Sequence, residues 1–277
     1  MSTFVTLIGY PVSHSLSPAM HNAAFDSIGL DWRYKAVPVE PGRLVDAVNR
    51  VRQPDCAGAN VTVPHKQAVV PLLDGLTPVA EAIGAVNTVF KRDGKLIGHN
   101  TDAAGLLADL YAHDVALAHR TVLIIGAGGA ARAVVAACAG VGARLRVAAR
   151  RREQAESLRN LADVEVFDLT PLGVMQASDG CALIVNATPI GMTPNINRSP
   201  WLAGTLFPLD AFAYDLVYNP PDTLFTQQAR AAGLRAATGL GMLVEQGALA
   251  FELWTGQSAP RDRMRQAAEM ELMVVNF

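Results

Sequence analysis

Short apolar runs recur along this chain, closing on glycine or small polar residues and alternating with stretches that carry helical start and stop signals. The runs predict strands over residues 4–9, 32–39, 57–61, 121–125, 145–149, 164–167, 183–186 and 212–217. Helices are predicted from Ser17 to about Gly29, over 42–51, from Ala103 to about His113, from the glycine cluster after Ile125 to Gly142, and over 221–233 and 240–256. Residues 81–89 carry a helix end and a further strand, and Asp93-Gly94 is a hairpin turn returning the chain through 96–98. Ser17-Pro18 reads as a helix start, with serine as N-cap and proline in the first helical position. The polar cluster from Asn60 to Lys66 falls where a strand should give way to a helix. Such alternation is the pattern of an α/β fold.

One stretch adds chemistry. The strand at 121–125 runs into Gly126-Ala127-Gly128-Gly129-Ala130-Ala131 and then into Ala-rich helical sequence. That is the context in which G-x-G-x-x-G/A binds a dinucleotide. Gly126 allows a tight turn, Gly128 a close approach of backbone to pyrophosphate, and Ala131 close helix–strand packing. The phosphates would lie on free N–H groups at the helix start. About 20 residues on, NAD-binding folds place a carboxylate for the ribose 2′-hydroxyl. Here the chain reads Ala148-Ala149-Arg150-Arg151-Arg152, with no acid until Glu153. Arginines suit a 2′-phosphate, so the expected cofactor is NADP. The alternatives are a glycine turn that binds nothing and an arginine run that merely starts a solvated helix.

The chain has 277 residues, enough for one large domain or two smaller ones. With 51% hydrophobic and 17% charged residues it reads as globular, and no apolar run approaches the ~18 residues of a membrane span. The opening Met1-Ser2-Thr3-Phe4 lacks the basic segment of a secretion signal. Cys56, Cys138 and Cys181 lack metal-ligand spacing and read as buried thiols of a reducing compartment; no metal is expected. A net charge of −2 argues against nucleic acid as a partner. The expectation is a cytoplasmic protein with a small-molecule substrate. A homodimer is compatible with it.

The first hundred residues alternate strands and helices without a phosphate-binding glycine cluster, as a substrate domain ahead of the cofactor domain would. His14, Ser15 and Ser17 crowd one loop after a strand, where open α/β sheets bind ligands. Lys66 taken alone is a surface lysine, and Asp102 at a helix start an N-cap. Beside an NADP fold they suit a different task. A dehydrogenase needs a group that exchanges a proton with the alcohol oxygen while hydride moves, and a lysine oriented by an aspartate fits.

These motifs resemble the shikimate dehydrogenase family (shikimate/quinate dehydrogenases). The resemblance is carried by Gly9-Tyr10-Pro11 with Ser13-His14-Ser15-Leu16-Ser17-Pro18 and His21-Asn22, and by Asn60-Val61-Thr62-Val63-Pro64-His65-Lys66. Ile83-Gly84-Ala85-Val86-Asn87-Thr88 and Asn100-Thr101-Asp102 follow. Later come Asn186-Ala187-Thr188-Pro189-Ile190-Gly191-Met192, Asp215-Leu216-Val217-Tyr218 and the stretch from Gly239 to Gln246. It implies an N-terminal α/β substrate domain (1–102 plus 240–277) and a Rossmann-type NADP-binding domain (103–239), with a cleft between them. It also implies that Lys66 and Asp102 are the catalytic pair. Ser15 and Ser17 would bind the substrate carboxylate, with Thr62, Asn87, Tyr218 and Gln246 around the ring and Asn60 in support. Gly126, Ala127, Gly128, Gly129 and Ala130 match the phosphate loop, and Arg150 with Arg151 the adenosine-phosphate grip. Thr188, Leu216 and Gly239 match positions lining ribose and nicotinamide. Many NADP-using members read Asn-Arg-Thr where this chain has Ala149-Arg150-Arg151, so the first arginine is kept and its neighbours change.

The implied reaction is reduction of 3-dehydroshikimate to shikimate by NADPH, a step of aromatic amino acid (chorismate) biosynthesis. Lys66 as an ammonium protonates the developing alkoxide, while Asp102 holds a substrate hydroxyl and the lysine. Shikimate oxidation needs the lysine as a base and is expected to speed up toward alkaline pH. A quinate or aminoshikimate dehydrogenase shares nearly every motif, and a non-catalytic NADP-binding sensor is the alternative from another class. A methylenetetrahydrofolate dehydrogenase has a comparable build but not the two motifs that carry Lys66 and Asp102.

Overall fold

A computed structural model of the chain describes residues 3–275. Its contacts divide the chain into two units, Met1–Gly105 with Leu243–Phe277, and Leu106–Met242. The first unit opens with β1 (Thr3–Gly9), α1 (Ser17–Ser27), β2 (Trp32–Pro38), α2 (Leu44–Val51) and β3 (Cys56–Val61). It continues through β4 (Gly75–Leu76), α3 (Pro78–Ile83), β5 (Thr88–Arg92) and β6 (Lys95–His99) into the start of α4 (Asp102–Ala112), whose residues from Leu106 on belong to the second unit. The strands form one sheet in the order β2-β1-β3-β5-β6-β4, parallel where β1 meets β2 and β3 and antiparallel along β5. The β5–β6 hairpin turns at Asp93 and Gly94, both with positive φ (52° and 75°), the geometry that Asp-Gly favours.

The second unit holds β7 (Thr121–Ile125), α5 (Gly129–Gly140), β8 (Arg144–Ala149), α6 (Arg152–Glu156), β9 (Val164–Asp168) and α7 (Pro171–Ser178). Next come β10 (Cys181–Asn186), β11 (Phe212–Asp215), α8 (Leu224–Ala231) and β12 (Arg235–Thr238). Its sheet is wholly parallel, in the order β12-β11-β10-β7-β8-β9, which is the 3-2-1-4-5-6 order of the Rossmann fold. The order reverses between β7 and β10, so the loops after Ile125 and Asn186 flank the switch point. β7 and β10 are buried along their whole length, which explains their unbroken apolar runs.

The chain then enters α9 (Leu240–Thr255) and α10 (Arg261–Val275), which complete the first unit. Phe251 and Met264 from these helices join Val5, Leu7, Met20 and Phe25 in one buried cluster. Among the described residues no helix is long and apolar enough to cross a membrane.

Four readings of the sequence change. No α-helix follows β3: Pro64 and Pro71 interrupt residues 62–72, which make isolated turns such as His65 N–H to Thr62 O (2.9 Å). Ser17 is not an N-cap. Leu16 already has helical angles (φ −78°, ψ −12°), and Ser17 is the first helical residue. β11 stops at Asp215, because the Val217 N–H turns back to the Asp215 carboxylate (2.9 Å). α8 starts beyond Pro221, where the Thr223 hydroxyl oxygen accepts the Thr226 N–H (3.3 Å). The elements β4, α7, β12 and α10 go beyond the pattern of apolar positions, and α6 is the short helix that the alternative reading of the arginine run gave.

Candidate active site

In the first unit β3, β5 and α4 converge on a buried polar network. Lys66 lies in the turn after β3, tied by its carbonyl to the Val86 N–H (2.8 Å). Asp102 is the first residue of α4, yet it does not cap that helix. The Asn100 side-chain oxygen accepts the Asp102 N–H (3.0 Å), and the Asn100 amide donates to Ala85 O (3.0 Å). The Asp102 carboxylate points away from the helix start. Its Oδ2 accepts from Lys66 Nζ at 2.7 Å, with the two side chains only 15% and 7% exposed. Its Oδ1 accepts from the Asn87 amide at 2.8 Å.

Asn87 is the hub of the network. Its oxygen accepts the Thr101 N–H (2.8 Å) and the Thr88 hydroxyl (2.9 Å), and its amide lies 3.2 Å from Gln246 Oε1. Gln246 gets this close because Gly105 has no side chain: a Cβ there would stand 2.8 Å from the Gln246 backbone nitrogen. Asn60 sits one layer back. Its amide donates to Asn87 O (3.0 Å) and its oxygen accepts the Tyr34 hydroxyl (2.7 Å). Tyr34 stacks on His21 (4.5 Å between ring centroids), which burial pushes down to about 3 and so keeps neutral. Asn60 and His21 therefore brace the network from behind.

Ser15 and Ser17 lie beside one another before and at the start of α1, where Ser15 Oγ accepts the Ser17 N–H (3.3 Å). Thr62 is half-buried, its N–H bonded to Ile8 O at 2.8 Å. Tyr218 falls in the second unit, half-buried on the exit of β11.

In the second unit β7 is followed by Gly126, whose φ of +114° excludes a side chain. A Cβ there would also meet Thr188 Cγ2 at 2.8 Å, so the glycine turn and the exit of β10 are pressed together. Gly128 precedes α5 in an extended conformation, and a Cβ on it would project into open space. Ala127, Gly129 and Ala130 complete a turn that presents the first N–H groups of α5. Arg150 and Arg151 follow β8, both exposed and neither in an ion pair among the described residues. Arg152 differs, being bound to Glu156 (3.5 Å) and Asp168 (3.1 Å). Gly239 leaves no room for a side chain against Leu216, a Cβ there falling 2.5 Å from Leu216 O.

The comparisons with known proteins agree on one family. The model of the shikimate dehydrogenase substrate binding domain matches residues 7–89, and that of the shikimate 5′-dehydrogenase C-terminal domain residues 239–269. A shikimate dehydrogenase (NADP(+)) of Symbiobacterium thermophilum is 43% identical over 271 residues, spanning 95% of this chain and 92% of that protein. The chain belongs to the shikimate dehydrogenase family. Among solved members, shikimate 5-dehydrogenase from Thermus thermophilus, in complex with NADP(H) and shikimate, is 40% identical. It superposes with a TM-score of 0.89 over 97% of this chain and 99% of that one. A quinate dehydrogenase from Corynebacterium glutamicum in complex with NAD is also similar, at 30% identity and a TM-score of 0.87 over 97% and 99% of the two chains.

The residues of the second unit fit a dinucleotide: a Cβ on Gly128 would project into open space beside the first N–H groups of α5, and Arg150 and Arg151 have no ion pair among the described residues. The residues that the motif reading left without a role are Asn100, Thr101, Asn186 and Asp215. Their common signal is a polar side chain at the end of a buried apolar strand or the start of a helix.

Proposed function

We propose that this chain is an NADP-dependent shikimate dehydrogenase that interconverts 3-dehydroshikimate and shikimate. The observation that carries the reading is the Lys66–Asp102 pair, 2.7 Å apart and largely buried, braced by Asn87. NADPH, when bound, supplies the hydride. Lys66 Nζ, as an ammonium, gives its proton to the oxygen of the reacting carbonyl as that oxygen gains charge, and the resulting amine regains a proton from solvent. Asp102 Oδ2 aims the ammonium, and Asn87 fixes the carboxylate by holding Oδ1.

Ser15 and Ser17 are the proposed donors to the substrate carboxylate, with Thr62, Asn87, Gln246 and Tyr218 for the ring hydroxyls. Gly126 to Ala130 would take the pyrophosphate and Arg150 with Arg151 the 2′-phosphate. Thr188, Leu216 and Gly239 would line ribose and nicotinamide. The first unit is then the substrate side and the second the cofactor side. Buried free thiols at Cys56, Cys138 and Cys181 support a reducing, cytoplasmic setting.

The test follows near-ultraviolet absorbance of reduced nicotinamide with shikimate or quinate, each with NADP or NAD. Fast reduction with shikimate and NADP alone is expected. Turnover of quinate, the activity named for the Corynebacterium relative, would overturn the substrate assignment. Equal use of NAD would overturn the arginine argument, and no turnover in any pairing would leave a dinucleotide-binding sensor.

A further inference from the structure

Asp215 closes β11 with its carboxylate fully buried. Everything that faces it donates: Asn186 Nδ2 to Oδ1 (2.7 Å), the Val217 N–H to Oδ1 (2.9 Å) and the Thr223 hydroxyl to Oδ2 (2.7 Å). None of these partners, from β10, the exit of β11 or the α8 cap, is charged or titrates. Burial pushes the carboxyl up to about 6 from 3.8. A native pKa above the unfolded one means that the folded state holds the extra proton between these values. Stability from this group therefore falls as pH rises through that window and stays reduced above it. At neutral pH the fold keeps a carboxylate that costs it stability.

Asn186 links that carboxylate to the cofactor side. Its oxygen accepts both the N–H (3.0 Å) and the hydroxyl (2.7 Å) of Thr188, and its backbone carbonyl accepts the Leu216 N–H (3.0 Å). Thr188 in turn abuts the Gly126 turn. Thr188 thus hangs from one buried side-chain pair, while Leu216 is tied to the Asn186 backbone.

We propose that Asp215, acting through Asn186, is a positioning residue for dinucleotide binding that holds Thr188 in register with the Gly126 turn. This rests on the NADP reading given above. The relay touches no reacting atom. It acts by fixing the threonine before the ligand arrives, so that no ordering cost falls on binding.

The test uses the full chain with Asn186→Ala or Asp215→Asn, read by calorimetric NADP titration, thermal melting without ligand, and steady-state kinetics. Asn186→Ala deletes the relay and should weaken NADP binding about tenfold, with the shikimate KM within about twofold of wild type. Asp215→Asn still accepts from Asn186 and Val217 but loses the charge that strengthens those bonds, and should weaken binding about three- to fivefold. Its Tm at pH 8 should match or exceed wild type, because a costly buried charge is gone. Wild-type affinity should fall as pH drops through about 6 more steeply than that of Asp215→Asn with the same ligand, whose own phosphate titration is common to both. NADP affinity unchanged in both folded variants would overturn the relay. So would a lowered Tm for Asp215→Asn with the KM values of both substrates rising together. If Asn186→Ala does not fold, Asp215→Asn decides by itself. Wild-type protein that binds no NADP would overturn the cofactor reading and this proposal together, whereas binding that survives both variants overturns only the relay.

Discussion

The Lys66 network and the Gly126 turn hold ligand-ready geometry with opposite materials. In the first, side chains supply the geometry and their charges are already spent on one another. Lys66, Asp102, Asn87 and Asn100 bond at 2.7–3.0 Å, and no buried polar atom among them lacks a partner. In the second, the backbone supplies the geometry through Gly126 and Gly128, while Arg150 and Arg151 stand exposed, without an ion pair among the described residues. A group that must meet one reacting atom gains from being oriented in advance. A group that must greet a dianion gains from having no ion pair to break first.

The strongest way to break this contrast is to remove the oriented charge. Lys66→Ala should lower kcat by about 10²–10⁴-fold while the shikimate KM changes little, as steady-state rates with NADP would report. A loss confined to KM would make the lysine a binding group and the two regions alike. Next in size is the paired replacement of Arg150 and Arg151 by alanine. It should raise the NADP KM by about ten- to a hundredfold and leave the NAD KM nearly unchanged, with the gap shrinking at high salt. An equal rise for both cofactors would mean that the arginines support the loop rather than read a phosphate. The smallest effect sharpens the picture of what is absent from either site. Burial pushes Cys138 up to about 12 and Cys181 up to about 11, so at pH 8 neither is a thiolate. Folded protein should show no fast thiol with an aromatic disulfide reagent, and all three cysteines should react after unfolding.

What the sequence made legible follows the same division. The Gly126 turn could be read because its parts are contiguous: strand, glycines and helix lie within one stretch of chain. The covered, parallel character of that sheet follows from the fully apolar runs at β7 and β10, which only a sheet buried on both faces can accommodate. Lys66 and Asp102 are 36 residues apart, and their pairing was suggested by chemistry and resemblance rather than by local pattern. Asn186 and Asp215 bond across neighbouring strands, 29 residues apart, a contact that no local rule signals. The caps were misread where a neighbour took over the task. Ser17 has the residue type of a cap, but Leu16 had already turned helical. Helix α10 begins Arg261-Asp262-Arg263, and its narrow stripe of Met264, Ala267, Ala268 and Leu272 is easily lost among charges.

The hand-over at the start of α4 sets a rule for moving this chemistry elsewhere. An aspartate at the head of a helix is drawn toward nearby backbone N–H groups, and here Asn100 accepts the Asp102 N–H while the Asp102 carboxylate bonds to Lys66 and Asn87. Transplanting Lys66 and Asp102 onto another scaffold without an equivalent of Asn100 would return the acid to an architectural duty. The unit to move is therefore a trio, with Asn100 bound to the Asp102 N–H and to Ala85 O while the Asp102 carboxylate faces Lys66.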